Sequence, residues 1–403
     1  MWGLNFVKRD RLKLHALWNS LANNTGAPFV GFFEAKATEN PVLIGYVVAI
    51  STLASAITQL LGGRIADKTG RRVALAFLFS VVAGVLWVII SVLEGPILLA
   101  VAFTAITLAS GFYLAGWTSL LGEASENTQK GSFLSSFARI QSVGGLVALL
   151  MSTTILFFNG TAFLPYLLSG GFFLVSALVL RGQQEQRVVR SRISEAGVER
   201  VKRFYFVSGV YGLFWGFAWP LFLITLVTVV NMSPFEFGVS QVIAVASTIA
   251  FQPLAGRLVD SDRRKWVFWT RMALTAYPLT YMFFSAAWQV YVINVFAGFT
   301  NALLNVAFTA YLFDISPTGQ RGWYSATFNL LTGATTVAGS LTAGFLLGIL
   351  KSSNSLWLSL AYLYVVAACG RALAALLHLG LPRGTEAPVA GPGLASSKTE
   401  ASA

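Results

Sequence analysis

Twelve apolar stretches, each long enough to cross a lipid bilayer, recur along the chain with short polar connectors between them. An α-helix rises about 1.5 Å per residue, so about 20 residues cross the hydrocarbon core. Hydrophobic residues make up 56% of the chain and charged residues only 11%, which leaves too little polar surface for a water-soluble protein of this size. The sequence therefore predicts an all-α integral membrane protein with twelve transmembrane helices. The expected spans are 12–35, 41–63, 73–93, 96–122, 131–157, 161–181, 204–230, 235–258, 266–286, 288–313, 322–349 and 355–380.

The basic residues predict the orientation of these spans. They lie almost entirely in alternate connectors, as in 8–13 and 64–72, whereas the opposite connectors hold only Lys36 and Lys351. By the positive-inside rule, the N- and C-termini and the basic connectors face the cytoplasm, which requires an even number of spans. We expect a multi-pass protein of the cell (plasma) membrane, a monomer in contact with membrane lipids. The net charge of +12 is spread over connectors in a pattern that does not favour nucleic acid.

The chain contains an internal repeat. Residues 41–72 align without a gap with residues 234–265, at a constant offset of 193. The repeat indicates two similar halves with the same orientation. The matched pairs include Pro41 and Pro234, Gly45 and Gly238, Gly63 and Gly256, Arg64 and Arg257, Asp67 and Asp260, and Arg71 and Arg264. The predicted units are an N-terminal six-helix bundle (1–181), a cytoplasmic linker (182–203), a C-terminal six-helix bundle (204–380) and a disordered cytoplasmic tail (381–403).

The connector after the second span carries a family signature. Residues 63–72 read GRIADKTGRR, which resembles the G-x-x-x-D-[RK]-x-G-[RK]-[RK] motif of the major facilitator superfamily (MFS). The second half repeats the motif in part, although Arg263 stands where the second glycine would be. The resemblance covers residues 12–380 and implies the MFS fold, with two six-helix bundles related by pseudo-twofold symmetry. It also implies secondary transport of a small solute by alternating access.

The same motif implies a latch at the cytoplasmic side. Gly63 should let two helices approach closely, and Asp67 should accept hydrogen bonds from the N-terminus of a neighbouring helix. By family resemblance Arg71 would pair with Glu123, and opening of the cytoplasmic side would break the pair. The alternative is that the basic residues serve only topology and anionic headgroups. The expected latch comprises Gly63, Asp67, Gly70, Arg71, Arg72, Glu123, Gly256, Asp260, Arg264 and Asp314.

A central cavity is expected between the first, fourth, seventh and tenth spans, which line it in this family. Polar residues at mid-depth are costly in lipid, so Asn19 with Asn23 and Asn301 with Asn305, each pair at helical spacing, are candidates. Hydrogen bonding between helices is the alternative for each. Aromatic residues also step along the fourth and seventh spans and suit an amphipathic or planar substrate, although packing explains them equally. The expected aromatic lining comprises Tyr113, Tyr211, Trp215 and Trp219.

Three arginines lie more than two residues inside the ends of predicted spans. Arg139 is eight residues beyond Gly131 and therefore about 12 Å into the membrane. Because no carboxylate lies at a matching depth, an anionic substrate is a candidate counter-charge, and snorkelling toward the cytoplasm is the alternative. Arg271 and Arg371 lie closer to the cytoplasmic face, and we expect both to snorkel.

These features define several functional hypotheses. The sequence favours an exporter of amphipathic compounds, and the alternative is an importer or exchanger of an organic anion or other metabolite with Arg139 as a contact. A non-transporting membrane sensor on the same fold is a more distant alternative. A coupling proton would need a titratable group, for which Glu34 is the candidate. Two histidines and one cysteine supply neither a nucleophile with its base nor a metal site, and no nucleotide-binding loop is present, so we expect no enzyme, cofactor, metal or ATP-driven pump.

Overall fold

Helices dominate the computed structural model, which describes residues 2–38, 40–125, 130–181, 183, 198–315 and 321–381. Of the predicted linker only 183 and 198–203 are described, and of the predicted tail only 381. A π-helical turn, Thr225–Val229, extends α7, and a 3-10 turn, His378–Gly380, follows α13. The α-helices are α1 (Trp2–Ala37), α2 (Pro41–Thr69), α3 (Arg72–Ser91), α4 (Pro96–Ser125), α5 (Lys130–Asn159), α6 (Phe163–Leu180), α7 (Val198–Ile224), α8 (Pro234–Ser261), α9 (Arg263–Ala273), α10 (Ala276–Tyr281), α11 (Ala287–Ile315), α12 (Arg321–Ser353) and α13 (Leu356–Leu377).

Local capping signals set several helix ends: the starts of α2 and α8 lie within one residue of their predicted positions, whereas α2 continues to Thr69, beyond the predicted end at 63. Asn40 caps α2, since its side-chain oxygen accepts from the N–H of Val42 at 3.0 Å, and Pro41 follows at the first helical position. Gly70 ends the same helix with a φ of 68°, a left-handed conformation that favours glycine. Ser233 and Glu236 form a reciprocal capping box at the start of α8. These boundaries were predictable because each depends on adjacent residues.

Membrane-crossing character is not uniform along the described part of the chain. Nine of the helices described there are long and apolar enough to cross a bilayer, and α1, α2 and the pair α9–α10 are not among them. The prediction for the ninth span was wrong in one respect. The single helix expected over 266–286 is broken at Leu274 and Thr275. Pro278 has no N–H and cannot donate to the carbonyl of Leu274 four residues earlier, which interrupts the helix.

The two halves have the same packing plan. In the first half, α1 packs against α5 and α6, and α2 packs against α4. In the second half, α7 packs against α12 and α13, and α8 packs against α11. The main contacts between the halves are those of α2 with α12 and of α5 with α8. This is the pseudo-twofold arrangement that the internal repeat predicts.

Among the described residues, the halves share a buried core at one end and not at the other. We call the end at which α1 begins the inner end, following the orientation expected from the basic residues, and the opposite end the outer end. At the inner end each core cluster belongs to a single half, one reaching from Leu12 to Leu180 and one from Val201 to Leu381. At the outer end Phe32 of α1 stacks on Phe237 of α8, with ring centroids 4.4 Å apart, in a core that both halves build.

Glycines show the same asymmetry between the ends. A Cβ on Gly45 of α2 would lie 2.8 Å from the carbonyl oxygen of Ser340, and one on Gly344 of α12 would lie 2.6 Å from that of Pro41. These glycines therefore allow α2 and α12 to touch at the outer end. A Cβ on the motif residue Gly63 would meet no described atom within 4 Å, so no close helix approach at Gly63 is seen among the described residues. The outer end is closed, and the residues described at the inner end do not make a corresponding contact.

Candidate functional site

A cavity of about 680 Å³ lies between the two halves, and they contribute to it unequally. The lining residues described in the N-terminal half are all apolar: Ala27, Pro28, Gly31, Val47 and Phe103. The polar and charged residues described in the lining all come from the C-terminal half. The lining residues of this half that are used below are polar, charged or aromatic: Ser208, Trp215, Trp219, Phe222, Arg271, Asn294, Asn301 and Arg371.

Arg271 of α9 lies between two aromatic rings at the cavity wall. Its guanidinium carbon is 3.7 Å from the ring centroid of Tyr211 and 4.0 Å from that of Phe308. The residue is 7% exposed, and its buried Nε has no hydrogen-bond partner in the described structure. Stacking on two ring faces stabilises a cation by about 0.5–2 kcal/mol per contact, but it supplies no counter-charge. Snorkelling was therefore a wrong prediction for Arg271.

Arg371 of α13 is fully buried, and snorkelling was a wrong prediction for it too. Its guanidinium donates three hydrogen bonds to backbone carbonyls: Nε to Phe214 at 3.2 Å, Nη2 to Trp215 at 3.1 Å and Nη1 to Leu274 at 3.1 Å. The guanidinium also lies 4.8 Å from the ring centroid of Trp215. Most of its donors are thus engaged by main-chain oxygens, unlike those of Arg271.

No acidic residue occurs among the described residues that line the cavity. Two buried arginines therefore face a space that holds no described carboxylate. Neutral polar groups complete the lining, since Asn294 donates to the carbonyl of Ser240 at 2.9 Å and the buried Oγ of Ser208 has no described partner. The cavity consequently combines positive charge with unsatisfied hydrogen-bonding capacity, an environment that favours an anion.

An aromatic wall adjoins the arginines. Trp215 and Trp219 of α7 meet edge to face, with ring centroids 5.7 Å apart, and Trp219 contacts Phe222 at 6.1 Å. Trp219 is partly exposed although its neighbours in α7 are buried, so part of its ring remains free. Such a wall offers a large apolar face to a planar molecule.

Several predicted cavity residues do lie at the cavity. Trp215, Trp219 and Asn301 line it, and Tyr211 lies directly behind them, fully buried under the guanidinium of Arg271. The side chain of Asn305 lies outside the described residues. The seventh-span aromatic stripe was therefore a useful signal.

Other predicted residues pack inside the N-terminal half instead. Tyr113 is buried, and its hydroxyl is 3.0 Å from Nε2 of His15, whose Nδ1 is 2.9 Å from the carbonyl oxygen of Ser176. Asn23 donates to the carbonyl and side-chain oxygens of Asn19 within α1. None of these residues lines the cavity, which agrees with the alternative of hydrogen bonding and packing within and between helices.

Arg139 and Glu34 also lie outside the cavity lining. Arg139 is exposed on α5, on the same helical face as the exposed Val143 and Val147. Glu34 is fully buried near the outer end of α1, and both of its carboxylate oxygens lack a hydrogen-bond partner among the described residues. The buried hydroxyl of Tyr166, close enough to interact electrostatically with Glu34, is likewise unpartnered there.

The predicted latch is only partly described. The side chains of Asp67, Glu123, Asp260 and Asp314 lie outside the described residues. Arg71 is exposed, Arg72 is half-buried, and Arg264 donates to the backbone carbonyl of Leu379 beyond the end of α13. A Cβ on Gly256, like one on Gly63, would meet no described atom within 4 Å.

Solved structures with this architecture include transporters of different solutes. The nucleoside transporter NupG is 10% identical with a TM-score of 0.73, covering 93% of this chain and 98% of that chain. A D-xylose-proton symporter is 16% identical with a TM-score of 0.70, covering 95% and 98%. An auto-inhibited POT family peptide transporter is 9% identical with a TM-score of 0.79, covering 94% and 98%. At these identities the likeness shows the fold alone.

Sequence comparison identifies the family. A search among curated proteins finds no match for this chain. The family model of the Major Facilitator Superfamily matches residues 17–203 and again residues 204–400, which together are nearly the whole chain. With its helical membrane fold and two similar halves, the chain belongs to the major facilitator superfamily of secondary transporters.

Proposed function

We propose that this transporter carries an organic anion with a flat apolar body, and that Arg271 binds the anionic group. The observation that carries the proposal is a buried guanidinium at the cavity wall with no carboxylate among the described lining residues. Burial of an unpaired charge costs several kcal/mol, and an anionic ligand that enters the cavity would offset this cost. Arg271 thus takes the role that the sequence assigned to Arg139.

The aromatic wall supports the second part of the proposal. Trp215 and Trp219 adjoin the arginines, so a ligand with its anionic group at Arg271 would lay its apolar part against these rings. The small apolar residues of the N-terminal half would cover the other side. The amphipathic substrate expected from the sequence is retained, but with a negative charge.

Export of lipophilic cations, as in multidrug transport, is the competing function, and the aromatic rings favour it. The two arginines oppose it, because like charges a few ångströms apart in a medium of low dielectric repel strongly. The proposed anion site is compatible with import, export and exchange.

A ligand-class experiment separates these functions. Purified protein in detergent is heated with 2-naphthoate, with its neutral analogue 2-naphthamide and with the lipophilic cation tetraphenylphosphonium. Ligands that bind the folded state raise the melting temperature. We expect stabilisation by 2-naphthoate that Arg271→Gln removes. Stabilisation by tetraphenylphosphonium alone would reject the organic-anion assignment in favour of cation export.

Alternating access supplies the transport cycle. The closed outer end supports a state in which the cavity is reached from the inner end, which we place in the cytoplasm of a plasma-membrane monomer. When the inner end closes, we expect Arg71 to approach Glu123, and Arg264 to approach Asp314 and release the carbonyl of Leu379. The latch would then stabilise the opposite state.

Glu34 is our candidate for proton coupling. A buried carboxylate without a partner is costly when ionised, so it should hold a proton while the outer end is closed and lose it when that end opens to water. The groups around it are the Tyr166 hydroxyl and, two residues along α1, the exposed Lys36. In proteoliposomes, Glu34→Gln should keep solute exchange but lose accumulation driven by a proton gradient. The exposed Glu94→Gln is the control, and gradient-driven accumulation by Glu34→Gln would exclude this role.

A further inference from the structure

We propose that Arg371 is a positioning residue, which clamps the broken ninth span to α7 and thereby presents Arg271 to the cavity. The inference rests on the proposed function, because it assigns Arg371 a task in the same anion site. It separates two arginines that look equivalent in the sequence: Arg271 contacts the solute, and Arg371 holds the elements that carry Arg271.

The first step is the break between α9 and α10. In a continuous helix the carbonyl of Leu274 would accept from the N–H of residue 278, but residue 278 is proline. A buried carbonyl without a donor costs about 1–3 kcal/mol. Arg371 supplies the missing donor, since its Nη1 lies 3.1 Å from the oxygen of Leu274.

The second step is the contact with α7. The same guanidinium donates through Nε and Nη2 to the carbonyls of Phe214 and Trp215, in the middle of α7. One rigid, planar group thus joins the C-terminal end of α9 to a single turn of α7. Lysine could not reproduce this, because its ammonium has no fixed fork of donors.

The third step links the clamp to the anion site. Arg271 lies three residues before Leu274, one helical turn away, and its stacking partner Tyr211 lies three residues before Phe214. The clamp and the stack of Arg271 on Tyr211 therefore join the same two helices one turn apart. Loss of the clamp would let α9 shift relative to α7 and misplace the guanidinium of Arg271.

Three of the five N–H groups of Arg371 are already engaged by main-chain oxygens. To bind a solute as its main anchor, Arg371 would have to release these carbonyls. One of them, that of Leu274, would then have no N–H donor from its own helix, because residue 278 is proline. The Nε of Arg271 has no described hydrogen-bond partner, so Arg271 can bind a solute through this atom without releasing a carbonyl. This difference assigns the two roles.

A rescue experiment tests the clamp. Arg371→Met removes all the donors, and Pro278→Ala restores an N–H that can reach the carbonyl of Leu274. We expect Arg371→Met to lower the melting temperature of the unliganded protein and to reduce the preference for 2-naphthoate over 2-naphthamide about tenfold. Adding Pro278→Ala should recover part of the lost stability, because it supplies a donor for the carbonyl of Leu274, but not the preference, because the link to α7 is still missing. Pro278→Ala alone should leave the preference nearly unchanged.

Each contrary outcome has a distinct meaning. If Pro278→Ala fails to raise the melting temperature of Arg371→Met, the clamp is not what Arg371 provides. If the double variant also regains the naphthoate preference, the donors to Phe214 and Trp215 are not needed to place Arg271, and the clamp to α7 is rejected. Arg371→Lys keeps the charge without the fork of donors, so a preference retained by Arg371→Lys would make Arg371 a solute contact and not a positioning residue. If the wild-type protein shows no preference for 2-naphthoate, the proposed function is rejected. The melting temperatures of the variants would still show whether Arg371 clamps α9 to α7. Should Arg371→Met not fold, Arg371→Lys with and without Pro278→Ala gives the same comparison.

Discussion

The two halves follow one helical plan but use their polar residues differently. The N-terminal half pairs several of its polar groups internally, as His15 does with Tyr113 and Ser176, and the lining residues described in this half are all apolar. The C-terminal half directs Arg271, Arg371 and several polar side chains toward the same space. The difference shows that matched halves need not contribute equally to a binding site. In the described lining, one half contributes the polar and charged groups, and the other contributes apolar surface.

The largest expected effect contrasts one arginine from each half. Arg271→Gln removes the charge at the cavity wall, whereas Arg139→Gln removes a charge from an exposed face of α5. A charge-assisted hydrogen bond contributes about 1.5–3 kcal/mol, so Arg271→Gln should weaken 2-naphthoate binding by about 10–100-fold. Arg139→Gln should change it less than about twofold. Titration calorimetry in detergent measures both, and equal losses would break the proposed division between the halves.

A smaller effect contrasts two tryptophans. Trp215→Leu removes an aromatic face at the cavity, and Trp117→Leu removes a ring that packs 4.7 Å from His15 inside the N-terminal half. Aromatic stacking is worth about 0.5–1.5 kcal/mol, so Trp215→Leu should reduce naphthoate affinity by about 2–10-fold. Trp117→Leu should lower the melting temperature without changing affinity. A loss of affinity in Trp117→Leu, with normal affinity in Trp215→Leu, would reverse the comparison.

The smallest effect concerns the apolar wall itself. Ala27→Leu on α1 adds three carbon atoms to the side of the cavity opposite the arginines. It should weaken binding of 2-naphthoate by only a few-fold, about 1 kcal/mol of overpacking, and spare the smaller anion benzoate. The preference for carboxylate over amide should persist, because the charge lies in the other half. Loss of that preference in Ala27→Leu would show that the N-terminal lining residues also affect recognition of the carboxylate.

Much of the fold could be predicted because its signals are local or repeated. The motif at 63–72, the repeat at 234–265 and the cap at Pro41 each depend on adjacent residues, and the helices begin and end accordingly. The break in the ninth span also has a local cause, Pro278, but the carbonyl that it frees is satisfied by Arg371, almost a hundred residues away. Sequence spacing alone does not report such a partner.

The site was predicted less well, for a geometric reason. Depth in the membrane follows from counting residues, but the direction of a side chain around an apolar helix requires a contrast between polar and apolar faces. That contrast existed in α7, where Trp215 and Trp219 were placed at the cavity in advance. It was missing for Arg139, Arg271 and Arg371, each a single charge in an apolar segment. Depth favoured Arg139, although the other two line the cavity.

Transport by the purified protein tests the central claim most directly. Proteoliposomes loaded with unlabelled 2-naphthoate are placed in a trace of the labelled anion, and entry of label by exchange is followed for the wild type, Arg271→Gln and Arg139→Gln. Our account predicts exchange by the wild type and by Arg139→Gln, and none above protein-free vesicles by Arg271→Gln. Exchange by Arg271→Gln at the wild-type rate, with none by Arg139→Gln, would contradict it and return the anion site to the N-terminal half.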